Sequence, residues 1–298
     1  MPPISKFLLV RAQSGRRQPS AFRRVRALTA ATLIAVSTLA VAPGIASAAS
    51  GCTSFVSGFH GDVIVHAGQV VCGGTGADVV GVVEQGGTFV GGPGNDQVAF
   101  VLSGAFVGGD GDDRVETLLD TGTFFGGSGN DTVSDGHGTF IGGSGDDAVG
   151  PSWGAFIGGD GNDSADEVHG TFVGGDGDDS AETVFGTFLG GNGSDRATVF
   201  GGSFNGGNGD DLAPFVISGT FNGGNGDDVV TNLVDPFGFG SVVNGGNGDD
   251  TVISMSGGRF FGGNGTDSVT SMSAGSFDGG NGTDQVESHV GGTLTSVP

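Results

Sequence analysis

Apolar positions recur along residues 73–290 at a spacing set by a short glycine-rich motif. Gly-Gly-x-Gly-x-Asp occurs thirteen times, and successive copies start sixteen to eighteen residues apart, except for one longer step from Gly223 to Gly245. Valine or alanine stands two residues after every motif aspartate, and phenylalanine stands two residues before the first glycine in eleven copies. The copies begin at Gly73, Gly91, Gly108, Gly126, Gly142, Gly158, Gly174, Gly190, Gly206, Gly223, Gly245, Gly262 and Gly279.

This spacing predicts one coil of a β-solenoid for each repeat, with two short strands and two turns. Helical repeats need about 33 residues or more, whereas glycine-rich corners supply the backbone angles of tight turns. Stacked coils lie about 4.8 Å apart, so equivalent residues would form ladders. We therefore predict an all-β fold, a right-handed parallel β-solenoid similar to a β-roll, with one Gly/Asp-rich turn per coil of sixteen to eighteen residues.

The phenylalanines are expected to form an inward ladder, because eleven exposed rings would be an aggregation hazard. The Val/Ala positions would form a second ladder, and together the two give a thin continuous core. Val71 and Val243 replace phenylalanine in the two remaining copies. The phenylalanines are Phe89, Phe106, Phe124, Phe140, Phe156, Phe172, Phe188, Phe204, Phe221, Phe260 and Phe277.

The same stacking predicts a row of carboxylates. No copy replaces the final motif aspartate, although asparagine is common at the variable turn positions. Unit charges about 5 Å apart repel by roughly 1 kcal/mol even in water, so the row needs hard cations, and calcium accepts carboxylate and carbonyl oxygens in forgiving geometry. The predicted ligands are Asp78, Asp96, Asp113, Asp131, Asp147, Asp163, Asp179, Asp195, Asp211, Asp228, Asp250, Asp267 and Asp284.

The alternative is that these aspartates only stabilise the glycine-rich turns through side-chain hydrogen bonds. Asparagine would serve equally well in that role, yet it never occupies the position. A requirement for charge is therefore favoured. Calcium binding would neutralise the row, so we expect folding to be coupled to binding at the millimolar affinity that extracellular modules show.

The motif resembles the RTX, or hemolysin-type, calcium-binding repeat. Gly174 to Glu182 fits every position of the nonapeptide Gly-Gly-x-Gly-x-Asp-x-apolar-x. The resemblance implies a parallel β-roll with calcium held between the turns of successive coils. RTX nonapeptides commonly run in tandem, two per coil; here one occurs per coil, so calcium is expected along one edge only. No room remains for the protease, lipase or pore-forming domain that often accompanies such rolls.

Charge is divided sharply along the chain. Seven of the ten basic residues lie before position 27, and the remainder carries three basic and 33 acidic residues, a net charge of −30. Such a body repels itself and attracts cations. Calcium ions are therefore the expected partners, and nucleic acids and anionic membranes are not.

Residues 1–48 predict a secretory signal peptide. Residues 1–26 are basic, residues 28–41 are apolar, and Ala46-Ser47-Ala48 is a small-x-small cleavage site. A membrane anchor is the alternative, but the apolar run is short for a span of about twenty residues. Paired arginines leave twin-arginine export open, although the general secretory route suits a chain that folds only after export. The expected location is extracellular or at the cell surface.

Residues 49–72 are predicted to cap the solenoid formed by residues 73–298. The only two cysteines, Cys52 and Cys72, lie here and are expected to form a disulfide after export. Asp62 stands sixteen residues before Asp78 and therefore indicates a degenerate first coil. No cap is evident in residues 291–298, which leaves end-to-end association of the solenoid open.

Catalytic motifs are weak, and we expect no enzyme activity. Residues 150–154 match the Gly-x-Ser-x-Gly nucleophile elbow around Ser152, but that motif needs a strand-to-helix turn of an α/β fold. Trp153 is instead expected to pack at the second corner of a coil. The five histidines have no metal-ligand spacing. A polysaccharide-active β-helix enzyme is the remaining enzymatic alternative.

One outward row suggests a further function. The residue before the phenylalanine is often threonine, and regular threonine arrays on solenoids resemble ice-binding faces. We therefore predict a structural, surface or matrix component, with an ice-binding or adhesin-type solenoid as the alternative. The row comprises Thr88, Thr123, Thr139, Thr171, Thr187 and Thr220, with Ser203 and Ser276, and Ala105, Ala155, Val242 and Arg259 interrupt it.

Overall fold

The computed structural model describes residues 52–56 and 58–297, and every regular element among them is a β-strand. The predicted signal peptide lies outside the described residues. No helix long and apolar enough to cross a membrane occurs in the described part of the chain.

Each coil contributes two short strands, as the repeat predicts. In chain order the strands are β1 (Ser54–Phe55), β2 (Phe59–Val65), β3 (Val70–Cys72), β4 (Val79–Val83), β5 (Thr88–Pro93), β6 (Gln97–Val101), β7 (Ala105–Asp110), β8 (Arg114–Leu118), β9 (Thr123–Ser128), β10 (Thr132–Gly136), β11 (Thr139–Ser144), β12 (Ala148–Ser152), β13 (Ala155–Asp160), β14 (Ser164–Val168), β15 (Thr171–Asp176), β16 (Ser180–Val184), β17 (Thr187–Asn192), β18 (Arg196–Phe200), β19 (Ser203–Asn208), β20 (Leu212–Ile217), β21 (Thr220–Asn225), β22 (Val229–Val234), β23 (Val242–Asn247), β24 (Thr251–Gly265), β25 (Ser268–Gly282), β26 (Gln285–His289) and β27 (Thr293–Thr295).

All strand pairings are parallel and join a strand to its equivalent in the next coil. Odd-numbered strands up to β23 form one face, which we call the phenylalanine sheet, and even-numbered strands up to β22 form the other, the valine sheet. Strands β24 and β25 are long enough to run through both sheets. The fold is therefore the predicted parallel β-solenoid, with about 17 residues per coil and no helix among the described residues.

The core lies between the two sheets and consists of the predicted ladders. All eleven motif phenylalanines are at most 1% exposed, which confirms that they face inward. Ring centroids of neighbouring phenylalanines are 4.6–5.3 Å apart. The Val/Ala ladder is also buried, and Val286 at its end is partly buried. The regular repeat places like on like, because strand pairing is in register, as in Phe156↔Phe172 and Phe172↔Phe188.

Each coil has two corners of different character. The motif corner is the Gly-Gly-x-Gly-x-Asp turn that leads from the phenylalanine sheet to the valine sheet, and the second corner leads back. The long step of the repeat lengthens only a second corner, because the extra residues lie between β22 and β23. Buried Ser241 anchors this loop by donating to the Val234 carbonyl at 2.6 Å and accepting from the Ser218 amide at 2.8 Å.

The N-terminal end is a shortened coil held by a disulfide. Cys52 and Cys72 are bonded, with their Cα atoms 5.9 Å apart, and β1 and β2 pair with β3 and β4. Strands β1 and β2 form the predicted degenerate first coil, but Asp62 does not lie at the ladder position of that coil. Pairing aligns Phe59 with Val79, so Gly58 takes the position equivalent to Asp78, and Asp62 lies exposed where the register of β2 shifts.

Candidate metal-binding edge

From the second motif copy onward, the motif corner is built from glycines at which an added Cβ would overlap neighbouring atoms. In the coil of Asp179, Gly175 and Gly177 have φ angles of +134° and +137°, which disfavour any side chain. A Cβ at either position would also overlap a carbonyl oxygen of the preceding coil. Coils can therefore stack closely at this corner only when glycine occupies both positions.

The thirteen predicted aspartates are brought into one row by these corners. Each is at most 3% exposed, so the row is more deeply buried than a surface edge of carboxylates would be. The backbone N–H of each aspartate from Asp78 to Asp267 donates to Oδ1 of the aspartate in the following coil, at 2.7–3.0 Å. One carboxylate oxygen per coil therefore ties two coils together.

The second carboxylate oxygen of the row has no protein partner. Oδ2 of all thirteen aspartates is buried and accepts no hydrogen bond. It lies against the first glycine of its own motif, where even a Cβ would overlap it. At Gly174 such a Cβ would also lie 2.7 Å from the carbonyl oxygen of Gly190 in the next coil. Unpartnered carboxylate oxygens and main-chain carbonyls thus line the same strip of the corner.

Burial makes the charged form of this row costly. Loss of hydration raises the pKa of the carboxyls, the amide hydrogen bond opposes the shift, and neighbouring carboxylates add to it. The pKa rises from 3.8 to about 6 at Asp195 and Asp267, to about 7 at Asp96, Asp131, Asp163, Asp211 and Asp228, and to about 8 at Asp113, Asp147, Asp179 and Asp250. Near neutral pH these carboxyls are therefore only partly ionised, and a bound cation would favour their charged form.

The donor set of this edge suits a hard cation. Its available atoms are carboxylate and carbonyl oxygens, the ligands that calcium prefers. In residues 52–56 and 58–297, no three His, Cys, Asp or Glu side chains come close enough to hold a metal ion by themselves. Any cation here would combine one buried carboxylate per coil with main-chain oxygens.

Two outer rows of polar side chains flank the buried one, and sequence reasoning did not assign them a role. Residues preceding the ladder aspartate accept the amide of the next coil, as when Asp178 Oδ1 accepts from the Ser194 N–H at 2.7 Å. At the third motif position, asparagines donate from Nδ2 to the Oδ1 of the coil before, at 2.6–2.9 Å. This amide ladder runs from its acceptor Asp176 through Asn192, Asn208, Asn225, Asn247, Asn264 and Asn281. The unbroken run of asparagine after position 190 was the available signal.

The threonine row lies on the outward face of the phenylalanine sheet. Its members are half-buried and in register, as in Thr139↔Thr123 and Thr171↔Thr187. A second outward row, missed from the sequence, stands two residues further along each strand. Its first seven members are apolar and half-buried: Val90, Val107, Phe125, Ile141, Ile157, Val173 and Leu189.

The residues of the formal nucleophile motif form no catalytic arrangement. Ser152 is 2% exposed and takes the inward position of Gly136 and Val168 in the neighbouring coils. Trp153 lies at a second corner, as predicted, where it is 53% exposed and stacks between His137 and His169.

Fold and edge together define a class of protein, a parallel β-solenoid with a buried ladder of carboxylates along one corner. No known family model matches the chain, and no curated protein matches it. The fold is similar to one in the X-ray crystal structure of a hyperactive, Ca2+-dependent, β-helical antifreeze protein from an Antarctic bacterium. The TM-score is 0.54 over 83% of this chain and 82% of that one, at 21% sequence identity. At that identity the likeness shows the fold alone.

Proposed function

We propose that this chain is a calcium-binding β-solenoid whose folding is coupled to calcium binding along the motif corner. The observation that carries the proposal is the row of thirteen buried Oδ2 atoms without a protein partner. An isolated buried carboxylate is strongly unfavourable unless it is paired or bound to a metal. Calcium would neutralise the row, so its binding free energy would become folding free energy.

Two further observations support calcium over another cation. The solved protein of similar fold is described as Ca2+-dependent, and the motif resembles the RTX calcium-binding repeat. Magnesium demands a stricter octahedral geometry, whereas this corner offers one carboxylate per coil together with main-chain carbonyls. The thirteen ladder aspartates are the proposed ligands, one for each coil.

Biologically, we propose an exported structural, surface or matrix component without enzyme activity. Thirteen coils at about 4.8 Å would give a rod roughly 60 Å long. Its millimolar calcium requirement would keep the chain unfolded in the cytosol and allow it to fold outside the cell.

Circular dichroism during a calcium titration tests this proposal, with magnesium as the control. A cooperative gain of β signal near millimolar calcium, absent with magnesium, is expected. Asp179→Asn sharpens the test, because asparagine keeps the Oδ1 acceptor and removes the charge. The variant should need more calcium to fold, whereas the matched control Asp178→Asn, at the exposed position beside it, should shift the midpoint less.

The opposite result would identify turn chemistry. If the aspartates only stabilise the corner, the wild type and Asp179→Asn would both fold in the presence of a chelator, and calcium would not stabilise either of them. A β signal unchanged by a chelator would contradict the calcium proposal in the same experiment.

Ice binding by the outward face of the phenylalanine sheet is a second candidate. Its support is the threonine row, the half-buried apolar row beside it over seven coils, and the antifreeze description of the protein of similar fold. Thermal hysteresis measurement would test it. Thr171→Lys on this face should abolish activity, and Thr251→Lys on the valine sheet should preserve it. Wild-type protein without hysteresis in saturating calcium would exclude this candidate.

A further inference from the structure

The C-terminal part of the solenoid is rich in asparagine–glycine pairs. Nine asparagines of the chain are followed directly by glycine, and all of them lie at or beyond position 192. The earlier asparagines, such as Asn162, are followed by aspartate instead. Six of the nine pairs are formed by the asparagines of the amide ladder, and the other three begin at Asn205, Asn222 and Asn244.

Such a pair can react with itself without an enzyme. The glycine nitrogen attacks Cγ of the asparagine, the Cγ–Nδ2 bond breaks, and Nδ2 leaves as ammonia with the proton of the glycine N–H. Water then opens the resulting cyclic imide and gives aspartate or its β-linked isomer, isoaspartate. Glycine favours this reaction because it has no Cβ to hinder its nitrogen and because its backbone is permissive. The reaction therefore needs a free glycine N–H and a side-chain amide that can turn towards it.

Coil stacking occupies both reacting groups in the interior of the amide ladder. In four successive coils the glycine N–H donates to the carbonyl of the ladder asparagine in the following coil, as from Gly209 to Asn225 and from Gly226 to Asn247, each at 2.8 Å. The Asn225 side chain is also held on both sides, because its Nδ2 donates to Asn208 and its Oδ1 accepts from Asn247, both at 2.8 Å. Reaction at these pairs requires the coils to separate first.

The three pairs outside the amide ladder lie within strands of the phenylalanine sheet. Asn205, Asn222 and Asn244 pair in register, and Nδ2 of Asn222 and of Asn244 donates to Oδ1 of the asparagine in the preceding coil. The glycine that follows each of these asparagines is buried. These pairs are therefore protected by the same stacking.

Asn281 differs because no described coil covers it. Its Nδ2 donates to Oδ1 of Asn264 at 2.9 Å, but β27 pairs only with residues 276–278, and no described residue pairs with Asn281 or Gly282 on the side away from Asn264. In the interior coils the equivalent glycine N–H donates towards that side. Gly282 is also exposed, whereas Gly226 at the same motif position is half-buried.

We propose that Asn281 is a site of spontaneous deamidation in the folded protein, whereas the other Asn-Gly pairs are protected for as long as their coils stay stacked. The product has a carboxylate in place of the side-chain amide and therefore loses the hydrogen bond to Asn264. It also adds negative charge to a corner at which carboxylates are already crowded. Chemical ageing of the folded protein therefore begins at this coil.

Peptide mapping by mass spectrometry tests the proposal on the full chain, purified in the form the cell delivers. The protein is incubated in mildly alkaline buffer under conditions in which circular dichroism shows the fold, whichever cation the fold requires, and in urea as the unfolded reference. In urea all the Asn-Gly pairs should deamidate at comparable rates. In the folded protein Asn281 should react about tenfold faster than Asn225, or more, because reaction at Asn225 requires local opening of stacked coils.

Two matched variants locate the reaction by a second readout, the release of ammonia from the folded protein. Asn281→Ser should remove most of the early release, and Asn225→Ser, which also replaces a ladder asparagine, should leave it unchanged. Circular dichroism verifies that both variants are folded. The proposal would be overturned if Asn281 stayed intact while the protein in urea reacted, or if it reacted no faster than Asn225 in the folded protein.

Discussion

The two corners of each coil obey opposite rules. At the motif corner, glycines and the ladder aspartate recur without exception in thirteen copies, and the turn never changes length. The second corner ranges from the tight turn at Gly170 to the loop between β22 and β23, and it carries histidine, tryptophan, phenylalanine or leucine. The difference teaches that the length and sequence of a corner are constrained where buried carboxylates must stack in register. They can vary where the corner only has to reverse the direction of the chain.

The largest expected effect comes from removing the metal and changing the pH. Because burial raises the folded-state pKa of the ladder carboxyls above 3.8, protonation favours the fold. That contribution is complete below pH 3.8 and is lost as the pH rises through about 6 to about 8. The chelated protein should therefore be most β-rich in acid and unfold as the pH approaches 8, as measured by circular dichroism.

Calcium should abolish this pH dependence at the motif corner, because a bound cation replaces the protons. The histidines of the second corner cannot supply this positive charge, because they lie outside the buried aspartate row. A chelated protein that gains stability between pH 6 and pH 8 would contradict the assigned burial of the aspartates.

The next largest effect should come from a matched pair of glycine substitutions, one at each corner, whose losses of stability can be compared. Gly175→Ala at the motif corner places a Cβ onto the Gly159 carbonyl oxygen, whereas Gly201→Ala at a second corner meets no atom within 4 Å. Both glycines have positive φ, so both variants incur about 1 kcal/mol of backbone strain. Gly175→Ala should lose ~3 kcal/mol or more in addition, as read from denaturant unfolding in saturating calcium. Equal losses would show that the motif corner has room to relax.

A smaller effect is expected from the outer amide ladder. Asn225 donates to Asn208 at 2.8 Å and accepts from Asn247 at 2.8 Å, and it is exposed. Asn225→Ala should therefore reduce the free energy of unfolding by only about 1 kcal/mol. Asn232→Ala on the valine sheet is the control, because Asn232 makes a single 3.3 Å hydrogen bond.

The smallest effect should follow from shortening the long second corner. Phe237 and Phe239 are 69% and 75% exposed, and the core ladders continue on both sides of the loop. Deleting residues 236–239 should change the melting temperature little, provided that Ser241 retains its contacts. A large loss of stability would mean that this loop, unlike the other second corners, contributes to packing.

Most of the fold was predictable because the regular spacing of the glycine-rich motif sets the length of each coil. A short coil with fixed apolar positions leaves few alternatives to a solenoid, and Phe172 and Ala181 take the inward faces predicted for them. The candidate metal edge was predictable only in part. Its aspartates could be identified, but their complete burial and the division of labour between Oδ1 and Oδ2 depend on contacts between coils.

Errors arose where the repeat fades. Asp62 has the right spacing from Asp78 but the wrong register, because β2 shifts between His60 and Ile64. Trp153 lies at the second corner as expected, but no periodic signal in the sequence showed that its ring would stack between His137 and His169. The stack of His137, Trp153, His169 and Phe185 at the second corner is similarly hidden, because these rings share a position in the coil but not a residue type.

The uniform register of the central coils makes the length of this protein an adjustable quantity. The steps from Gly126 through Gly142 and Gly158 to Gly174 are all equal, and each of these three repeats pairs in the same register with the coil before and the coil after it on both sheets. Unequal recombination within the gene could add or remove one such unit and leave every remaining interface intact. Selection could therefore change the length of the solenoid by duplicating or deleting whole coils, without requiring any new type of contact between coils.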